Sequence, residues 1–191
     1  MSTQEAFDKI YRDSEWGYKS GDGSNPDNAQ VWIDHVNKLL VQDDIYSVLD
    51  VGCGDWRIGQ RLNLYDKWYI GMDASRVIID EVRQYEANNI HFICANAEQF
   101  NFPNFDLILV KDVLQHLPNS MVTTIVDKVI ASSKYALLCN DVSGYNTDTH
   151  VGGYRAINLN KPPFNYNFIN LDLYQSGTFL KLINFYQRDM Q

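Results

Sequence analysis

A glycine turn in the first third of the chain carries the residues best suited to chemistry. Val48–Trp56 reads VLDVGCGDW, a short apolar run that ends in Gly52-Cys53-Gly54. Two glycines at such a turn allow a ligand to approach the backbone closely. In an open α/β sheet, ligands bind at the carboxyl ends of strands, which is where this turn would lie. The segment therefore predicts a small-molecule site.

Acidic residues around the turn favour a cationic, ribose-containing ligand over a dinucleotide. The dinucleotide fingerprint requires a third glycine at the position that Arg57 occupies. Asp50 directly precedes the glycines and would repel a pyrophosphate, whereas an ammonium or sulfonium group suits it. Asp73 follows Gly54 by 19 residues, a spacing at which a carboxylate can bind a ribose diol. The alternative for Asp73 is capping of the next helix, which Ser75 could also supply.

Candidate proton-transfer groups follow later strands. His116 lies in the segment KDVLQHL, and an imidazole has an unperturbed pKa of about 6.5, which suits a base at neutral pH. A packing or hydrogen-bonding role is the alternative for His116. Asp112 is an equal rival as base, and Asp141 is a third. With His150, these residues could converge on Mg or Mn, but their spacing fixes no site and no metal is predicted.

The order of the elements predicts how these residues are brought together. Apolar runs at 46–51, 67–72, 90–94, 105–110 and 135–140 alternate with helices at 55–63, 75–87 and 119–132. Two further helices are predicted at 4–12 and 28–41, the second capped by Asp27. NFINLDLY and TFLKLINFY both alternate and flank a turn at Ser176–Gly177. We therefore predict an α/β fold, a doubly wound, seven-stranded, mostly parallel sheet with a C-terminal antiparallel hairpin.

Four ordered segments resemble the motifs of class I S-adenosylmethionine-dependent methyltransferases. They are Val48–Trp56, Gly71–Ser75, Cys94–Glu98 and Phe105–Leu117. The resemblance covers about residues 45–140, and the closing hairpin is similar to the family's last two strands. It implies a Rossmann-like methyltransferase fold and S-adenosyl-L-methionine as cofactor.

The resemblance also assigns cofactor contacts. It implies that Asp50, Gly52 and Gly54 line the methionine end, that Asp73 holds the ribose hydroxyls, that Asn96 and Ala97 flank the adenine, and that Lys111 and Asp112 lie beside the methyl group. Either Met72 or Ala74 is expected to pack on the purine, and Cys53 is a further cofactor contact. Trp56 stands where the family often has a third glycine. We expect its bulky side chain to narrow the pocket or to stack near the ligand.

Two aromatic, loop-rich segments are expected to recognise the acceptor. N-terminal additions in this family commonly fold as a lid, which makes Trp16 a cofactor candidate and Tyr18 a substrate candidate. The insertion after the fifth strand commonly shapes the acceptor pocket, which makes His150, Tyr154 and Arg155 substrate candidates. Both segments look similar to small stand-alone methyltransferases found with glycan-building enzymes, and aromatic faces with polar edges suit a sugar.

The expected reaction is therefore O-methylation of a sugar, glycan or other small-molecule hydroxyl. Two alternatives stay open, a protein methyltransferase and a non-catalytic partner subunit that binds an S-adenosyl ligand.

Length and charge restrict the partners. The 191 residues carry 16 Lys and Arg against 24 Asp and Glu, a net charge of −8 that opposes nucleic-acid binding. No apolar run reaches the roughly 18 residues of a membrane span, and the N-terminus has no apolar signal core. Three cysteines without paired spacing argue against a disulfide scaffold and favour a cytoplasmic protein. We expect one domain, with lid helices at 1–44, a cofactor core at 45–141, a substrate loop at 142–166 and a hairpin at 167–191.

Overall fold

Seven strands and four α-helices make up the part of the chain that the structure, a computed structural model, describes, which is residues 1–188. The helices are α1 (Thr3–Asp13), α2 (Gln30–Leu40), α3 (Arg76–Val82) and α4 (Asn119–Ser132). The strands are β1 (Ser47–Val51), β2 (Trp68–Asp73), β3 (Ile90–Cys94), β4 (Phe105–Lys111), β5 (Ser133–Asp141), β6 (Ile169–Ser176) and β7 (Phe179–Gln187). Short 3-10 turns lie at Asp22–Ser24, Gly59–Arg61, Arg83–Tyr85 and Leu114–His116.

The strands form one sheet in the order β3-β2-β1-β4-β5-β7-β6. β1 pairs in parallel with both β2 and β4, so the strand order reverses between β1 and β4. β7 pairs antiparallel with β5, and β6 pairs antiparallel with β7. The predicted doubly wound sheet with a closing hairpin is therefore confirmed. The reversal leaves a crevice at the carboxyl ends of β1 and β4, where ligands bind in such sheets.

Each face of the sheet is buried under its own hydrophobic layer. Along β4, Leu107 and Leu109 belong to one layer, and Ile108 and Val110 belong to the other. The first layer is completed by residues of α2 and α3, and the second by residues of α1 and α4. This two-sided burial explains why the central strands read as continuous apolar runs instead of alternating ones.

The predicted helix at 55–63 does not form, and a 3-10 turn at Gly59–Arg61 takes its place. Gly54 and Trp56 have φ values of 53° and 58°, a left-handed conformation that a right-handed helix cannot contain. The predicted cap of α2 by Asp27 is also wrong, because Ala29 is the N-cap and makes no side-chain bond. α3 is shorter than predicted, since it ends at Val82 and continues only as a 3-10 turn.

The closing hairpin follows the prediction, with Gly177 in the left-handed region between its two strands. Residues 189–191 of the predicted segment 167–191 lie outside the described residues. Within residues 1–188, no helix combines the length and apolar character needed to cross a bilayer. The three cysteines are free thiols.

Candidate active site

A cavity of about 270 Å³ lies at the carboxyl edge of the sheet, where the strand order reverses. The turns after β1, β2, β3 and β4 form its floor, and the segment after α1 covers it. Tyr154 from the loop after β5 and Lys181 from β7 close its far end. The cavity therefore gathers residues from both loop-rich segments and from the glycine turn.

The glycine turn is fixed against β2 and requires glycine at both positions. The amides of Gly52 and Cys53 donate to the carbonyl of Met72 over 2.7 Å and 3.0 Å. Gly52 has φ 78°, and a Cβ atom there would lie 2.2 Å from Val113 Cγ2. A Cβ atom on Gly54 would lie 2.5 Å from Ser20 Oγ. Both glycines line the cavity, so the turn combines left-handed backbone with close packing.

Asp73 presents a buried carboxylate to the cavity at the end of β2. It is 8% exposed and accepts hydrogen bonds from the amides of Gly54 (3.2 Å) and Ser75 (2.9 Å). Burial raises its pKa to about 6 in spite of these backbone donors. Ser75, whose hydroxyl accepts from the amide of Ile78, is the cap of α3. Asp73 is therefore free of the capping role and retains acceptor capacity toward the cavity.

Small side chains line the cavity beyond Asp73. Ala74 follows β2, and Ala95, Asn96 and Ala97 follow β3. The amide oxygen of Asn96 accepts from the backbone of Glu98, which fixes the local turn. This part of the wall leaves room for a flat ring.

Three of the predicted cofactor residues, Asp50, Cys53 and Trp56, lie outside the cavity lining. The Asp50 carboxylate accepts a 2.7 Å hydrogen bond from the Tyr69 hydroxyl, and burial raises its pKa to about 6. Cys53 is partly buried, and burial raises the pKa of its thiol.

Trp56 is part of the core, so the prediction that it narrows the pocket is wrong. It is 6% exposed, and its ring lies 5.2 Å from the rings of both Tyr85 and Phe92. Its φ of 58° turns the side chain into the layer beneath α2 and α3.

An ion cluster lies at the end of β4. Asp112 Oδ1 accepts from Lys181 Nζ over 2.6 Å, and Lys111 pairs with its other oxygen. Burial acts to raise the pKa of Asp112, but the two ammonium groups outweigh it and hold that pKa at about 2. Asp112 lines the cavity, yet so weak a base does not fit the predicted catalytic role.

Lys181 was not among the predicted site residues. It is 1% exposed on β7, where the antiparallel register places it opposite Asp141 of β5. The signal that could have found it is a lysine between two leucines in a mostly apolar strand.

His116 lies on the 3-10 turn after β4, inside the cavity lining. Its Nδ1 is 2.8 Å from the carbonyl oxygen of Gly153, and its ring is 4.6 Å from that of Trp16. Burial lowers the pKa of His116 below its ordinary value of 6.5. The imidazole is therefore neutral at pH 7 and able to accept a proton.

Asp141 acts on the cavity only through its neighbours. It is 2% exposed, and its carboxylate accepts from the amide and hydroxyl of Ser143 and from the hydroxyl of Tyr154. Tyr154 lines the cavity, and burial raises the pKa of its phenol. The structure thus brings the predicted substrate residue Tyr154 to the cavity and buries the predicted base Asp141 behind it.

The other predicted substrate residues lie outside the cavity lining. Tyr18 is 71% exposed, with its ring 5.1 Å from the guanidinium of Arg57, and His150 is exposed on the loop after β5. Arg155 is 5% exposed and donates to the carbonyls of Thr147 (3.0 Å) and Leu117 (2.8 Å). In residues 1–188, no group of three or more His, Cys, Asp or Glu side chains is arranged to hold a metal ion.

The segment after α1 is bonded to both halves of the site. The Ser20 hydroxyl accepts from the amide of Asp55 (2.9 Å) beside the glycine turn. Arg57 donates to the carbonyl of Gly21 (3.1 Å), and Lys111 donates to that of Gly23 (2.7 Å). Trp16, on the same segment, lines the cavity.

Comparisons with known proteins agree with this geometry. Residues 48–134 match the family model of a methyltransferase domain. No curated protein sequence matches the chain significantly. Among solved structures, magnesium protoporphyrin IX methyltransferase from Synechocystis PCC 6803, with bound S-adenosylhomocysteine, superposes with a TM-score of 0.70 at 14% identity, over 96% of this chain and 98% of that one.

Two further solved structures are similar to this chain over different shares of its length. N-methyltransferase NodS from Bradyrhizobium japonicum WM9, in complex with S-adenosylhomocysteine, has a TM-score of 0.68 at 17% identity, over 93% of this chain and 97% of that one. The [4+2]-cyclase SpnF has a TM-score of 0.50 at 20% identity, over 58% of this chain and 44% of that one. At these identities the superpositions show the fold, and the predicted Rossmann-like methyltransferase fold is confirmed.

Proposed function

With residues 48–134 belonging to the methyltransferase domain family, we propose that the chain is an S-adenosylmethionine-dependent methyltransferase that acts on a small-molecule hydroxyl. The observation that carries the proposal is the Asp73 carboxylate, buried beside the left-handed glycine turn and open to the cavity. A carboxylate at this point of the fold accepts hydrogen bonds from a ribose diol. Two structural neighbours, which hold S-adenosylhomocysteine, support this choice of ligand.

The cavity residues fit an S-adenosyl ligand. Asp73 already takes two backbone donors, and two hydroxyl donors would complete its shell in a buried place. Ala74, Ala95 and Ala97 would flank the adenine ring, and Asn96 would lie at its edge. Gly52 and Gly54 would lie along the methionine portion.

Alignment of the two reactants is the main task left to the protein. The bound ligand supplies a methyl group already activated on a sulfonium. Trp16 and the Ser20–Ser24 loop cover the cavity, which excludes water and holds both reactants in contact. We propose that residues 1–44 act as the lid, 45–141 as the cofactor core and 142–166 as the acceptor loop.

His116 is the group we assign to proton removal from the acceptor. A hydroxyl has a high pKa, so its attack on the methyl group is helped by a base. Asp112 is held ionised by two lysines, and Asp141 is engaged by Ser143 and Tyr154. The imidazole of His116 lines the cavity, and its lowered pKa leaves it unprotonated and able to accept a proton at pH 7.

Aromatic rings with polar neighbours support a sugar as the acceptor. Trp16, Tyr154 and Phe179 line the end of the cavity that also holds Gln115 and Lys181. Rings can stack on the apolar face of a sugar, while the amide and ammonium bind its hydroxyl edge. The neighbours named for a porphyrin and for N-methylation support a small-molecule acceptor in general.

Methyl transfer from labelled S-adenosylmethionine to a panel of free sugars, nucleotide sugars, phenols and peptides tests the proposal. We expect S-adenosylhomocysteine to form with a hydroxyl compound, and we expect His116→Asn to lower kcat by about 100-fold or more. His35→Asn is the matched control and should keep full activity, because His35 lies on α2 outside the cavity lining, with its ring 3.1 Å from the Asp172 carboxylate of β6. Methylation of peptides alone, or ligand binding without any transfer, would contradict the proposal.

A further inference from the structure

A four-residue segment of the loop after β5 is bonded to the turn that carries His116. The amide of Gly152 donates to the carbonyl of His116 (2.9 Å), and the amide of Arg155 donates to that of Gln115 (3.1 Å). The guanidinium of Arg155 donates to the carbonyl of Leu117 (2.8 Å). Three consecutive carbonyls of the turn are thus bound by Gly152–Arg155, which we call the strap.

The strap also holds the imidazole itself. Nδ1 of His116 lies 2.8 Å from the carbonyl oxygen of Gly153. A carbonyl oxygen can only accept, so in the neutral ring Nδ1 carries the hydrogen and Nε2 carries the lone pair.

A second contact leads independently to the same tautomer. The amide of Asp141 donates to Gln115 Oε1 over 3.0 Å, which fixes the oxygen end of the Gln115 side chain. The opposite end, Nε2 of Gln115, is therefore a donor, and it lies 3.5 Å from Nε2 of His116. At 3.5 Å this contact is weak, so it favours an unprotonated His116 Nε2 without occupying its lone pair.

Tight packing keeps the Gly153 carbonyl in place. A Cβ atom on Gly153 would lie 2.3 Å from Thr149 Oγ1 and 3.1 Å from the carbonyl of His150. A side chain at position 153 would therefore displace either Thr149 or the strap. Arg155, 5% exposed with its guanidinium 5.6 Å from the Phe164 ring, ties the strap to both Leu117 and Thr147.

We propose that the strap holds His116 as the Nδ1–H tautomer with Nε2 as the proton-accepting atom, and that Arg155 is a positioning residue for this ring. The catalytic meaning of the inference rests on the proposed function, whereas the tautomer does not. Arg155 was predicted from sequence to touch the substrate, and the structure gives it this indirect role instead. Trp16 and Tyr154, with ring centroids 4.6 Å and 5.8 Å from the imidazole, limit its rotation.

Nitrogen NMR of the full chain, labelled with ¹⁵N-histidine, tests the proposal without an acceptor. Protonated and unprotonated ring nitrogens have well-separated shifts, and the His116→Asn variant assigns the signal among the four histidines. At a pH above the histidine titration range, we expect protonated Nδ1 and unprotonated Nε2 for His116. Asp112 and Lys181 act on its pKa from β4 and β7, and Tyr154 faces it from the strap, so the measurement includes a pH titration.

Arg155→Met should release the ring into a mixture of tautomers and lower kcat about tenfold, with the KM for S-adenosylmethionine unchanged. Arg155→Lys keeps the charge but cannot span both carbonyls. It should restore part of the Nδ1–H tautomer population and part of kcat. Arg188→Met is the matched control, because Arg188 also donates to two backbone carbonyls, those of Ile130 and Ala131, and leaves the strap untouched. If Arg155→Met does not fold, Gly153→Ala is measured in its place, because it should move the carbonyl that accepts from His116 Nδ1.

Protonated Nε2 in the wild-type chain would overturn the proposal. So would an unchanged tautomer in a folded Arg155→Met variant that also keeps its kcat. If the wild-type chain shows the expected tautomer and His116→Asn still transfers methyl groups at the full rate, His116 is not the base of the proposed function. The effect of the strap on the ring would then still stand.

Discussion

At Asp73, the pKa decides the conditions under which the proposed ribose contact forms. Burial raises the pKa of this carboxyl to about 6. The hydroxyl donors of a ribose bind best to its ionised form. Affinity for S-adenosylhomocysteine should therefore be full above about pH 7 and fall by about tenfold for each unit below 6. Calorimetric titrations between about pH 5 and 8 measure this slope.

Variants at Asp73 separate this carboxyl from Asp50, which titrates in the same range. Asp73→Asn should bind S-adenosylhomocysteine about 10- to 100-fold more weakly at pH 8 and show a flatter slope. Asp80→Asn, on the exposed side of α3, should match the wild type. A slope that persists unchanged in Asp73→Asn would show that another group controls binding.

Substitution of Trp56 should lower the stability of the fold and leave ligand binding almost unchanged. Trp56→Ala removes a buried ring and should lower the free energy of unfolding by about 3–5 kcal/mol, with little change in S-adenosylhomocysteine affinity. Trp56→Gly should be more stable than Trp56→Ala by about 1 kcal/mol, because the backbone φ is 58°. Urea unfolding of both variants measures the order, and alanine as the more stable one would refute the backbone argument.

At the scale of the element, the segment after α1 is expected to control ligand escape. A Cβ atom on Gly23 would lie 2.6 Å from Asp112 Oδ2, so Gly23→Ala should lift this segment from β4. We expect S-adenosylhomocysteine to dissociate about tenfold faster, as measured by stopped-flow displacement. Gly144→Ala is the control, because Gly144 is exposed on the loop after β5, has no positive φ, and an added Cβ atom there would lie 3.3 Å from Ala156 Cβ. Equal rates in both variants would contradict a lid.

The elements also show what could be read from the sequence. The strands and the Asp73 carboxylate were predictable, because apolar runs and the spacing after the glycine turn are local signals. The missing helix at 55–63 was not, because left-handed φ at Trp56 depends on packing against Tyr85 and Phe92. A lysine between two leucines marks Lys181 as unusual, but its contact with Asp112 and the contacts of Arg155 depend on strand register and loop path, which local patterns do not reveal.

At the scale of the whole molecule, buried carboxyl groups in and beside the cavity should make the stability of the fold depend on pH. The folded-state pKa of Asp50 is about 6, well above its unfolded value of 3.8, so the native state binds more protons between these values. The free energy of unfolding from this group is therefore highest below about pH 4 and falls as pH rises through 6. Asp112, whose pKa is lowered to about 2, contributes with the opposite sign and loses its stabilisation in acid.

Asp50→Asn isolates the first of these effects. Relative to the wild type, the variant should gain stability with rising pH, by up to about 3 kcal/mol between pH 4 and pH 8, because the pKa shift from 3.8 to about 6 is removed. Asp43→Asn, in the exposed turn after α2, is the control. Chemical unfolding at both pH values gives the difference, and a gain that is the same at both would contradict burial as the cause.

Calorimetric titration of the wild-type chain with S-adenosylhomocysteine, and in parallel with NADH, tests the central claim most directly. The account predicts one S-adenosylhomocysteine bound per chain, weaker binding by Asp73→Ala, and no heat from NADH. No binding of S-adenosylhomocysteine at millimolar concentration, or binding of NADH in its place, would contradict it.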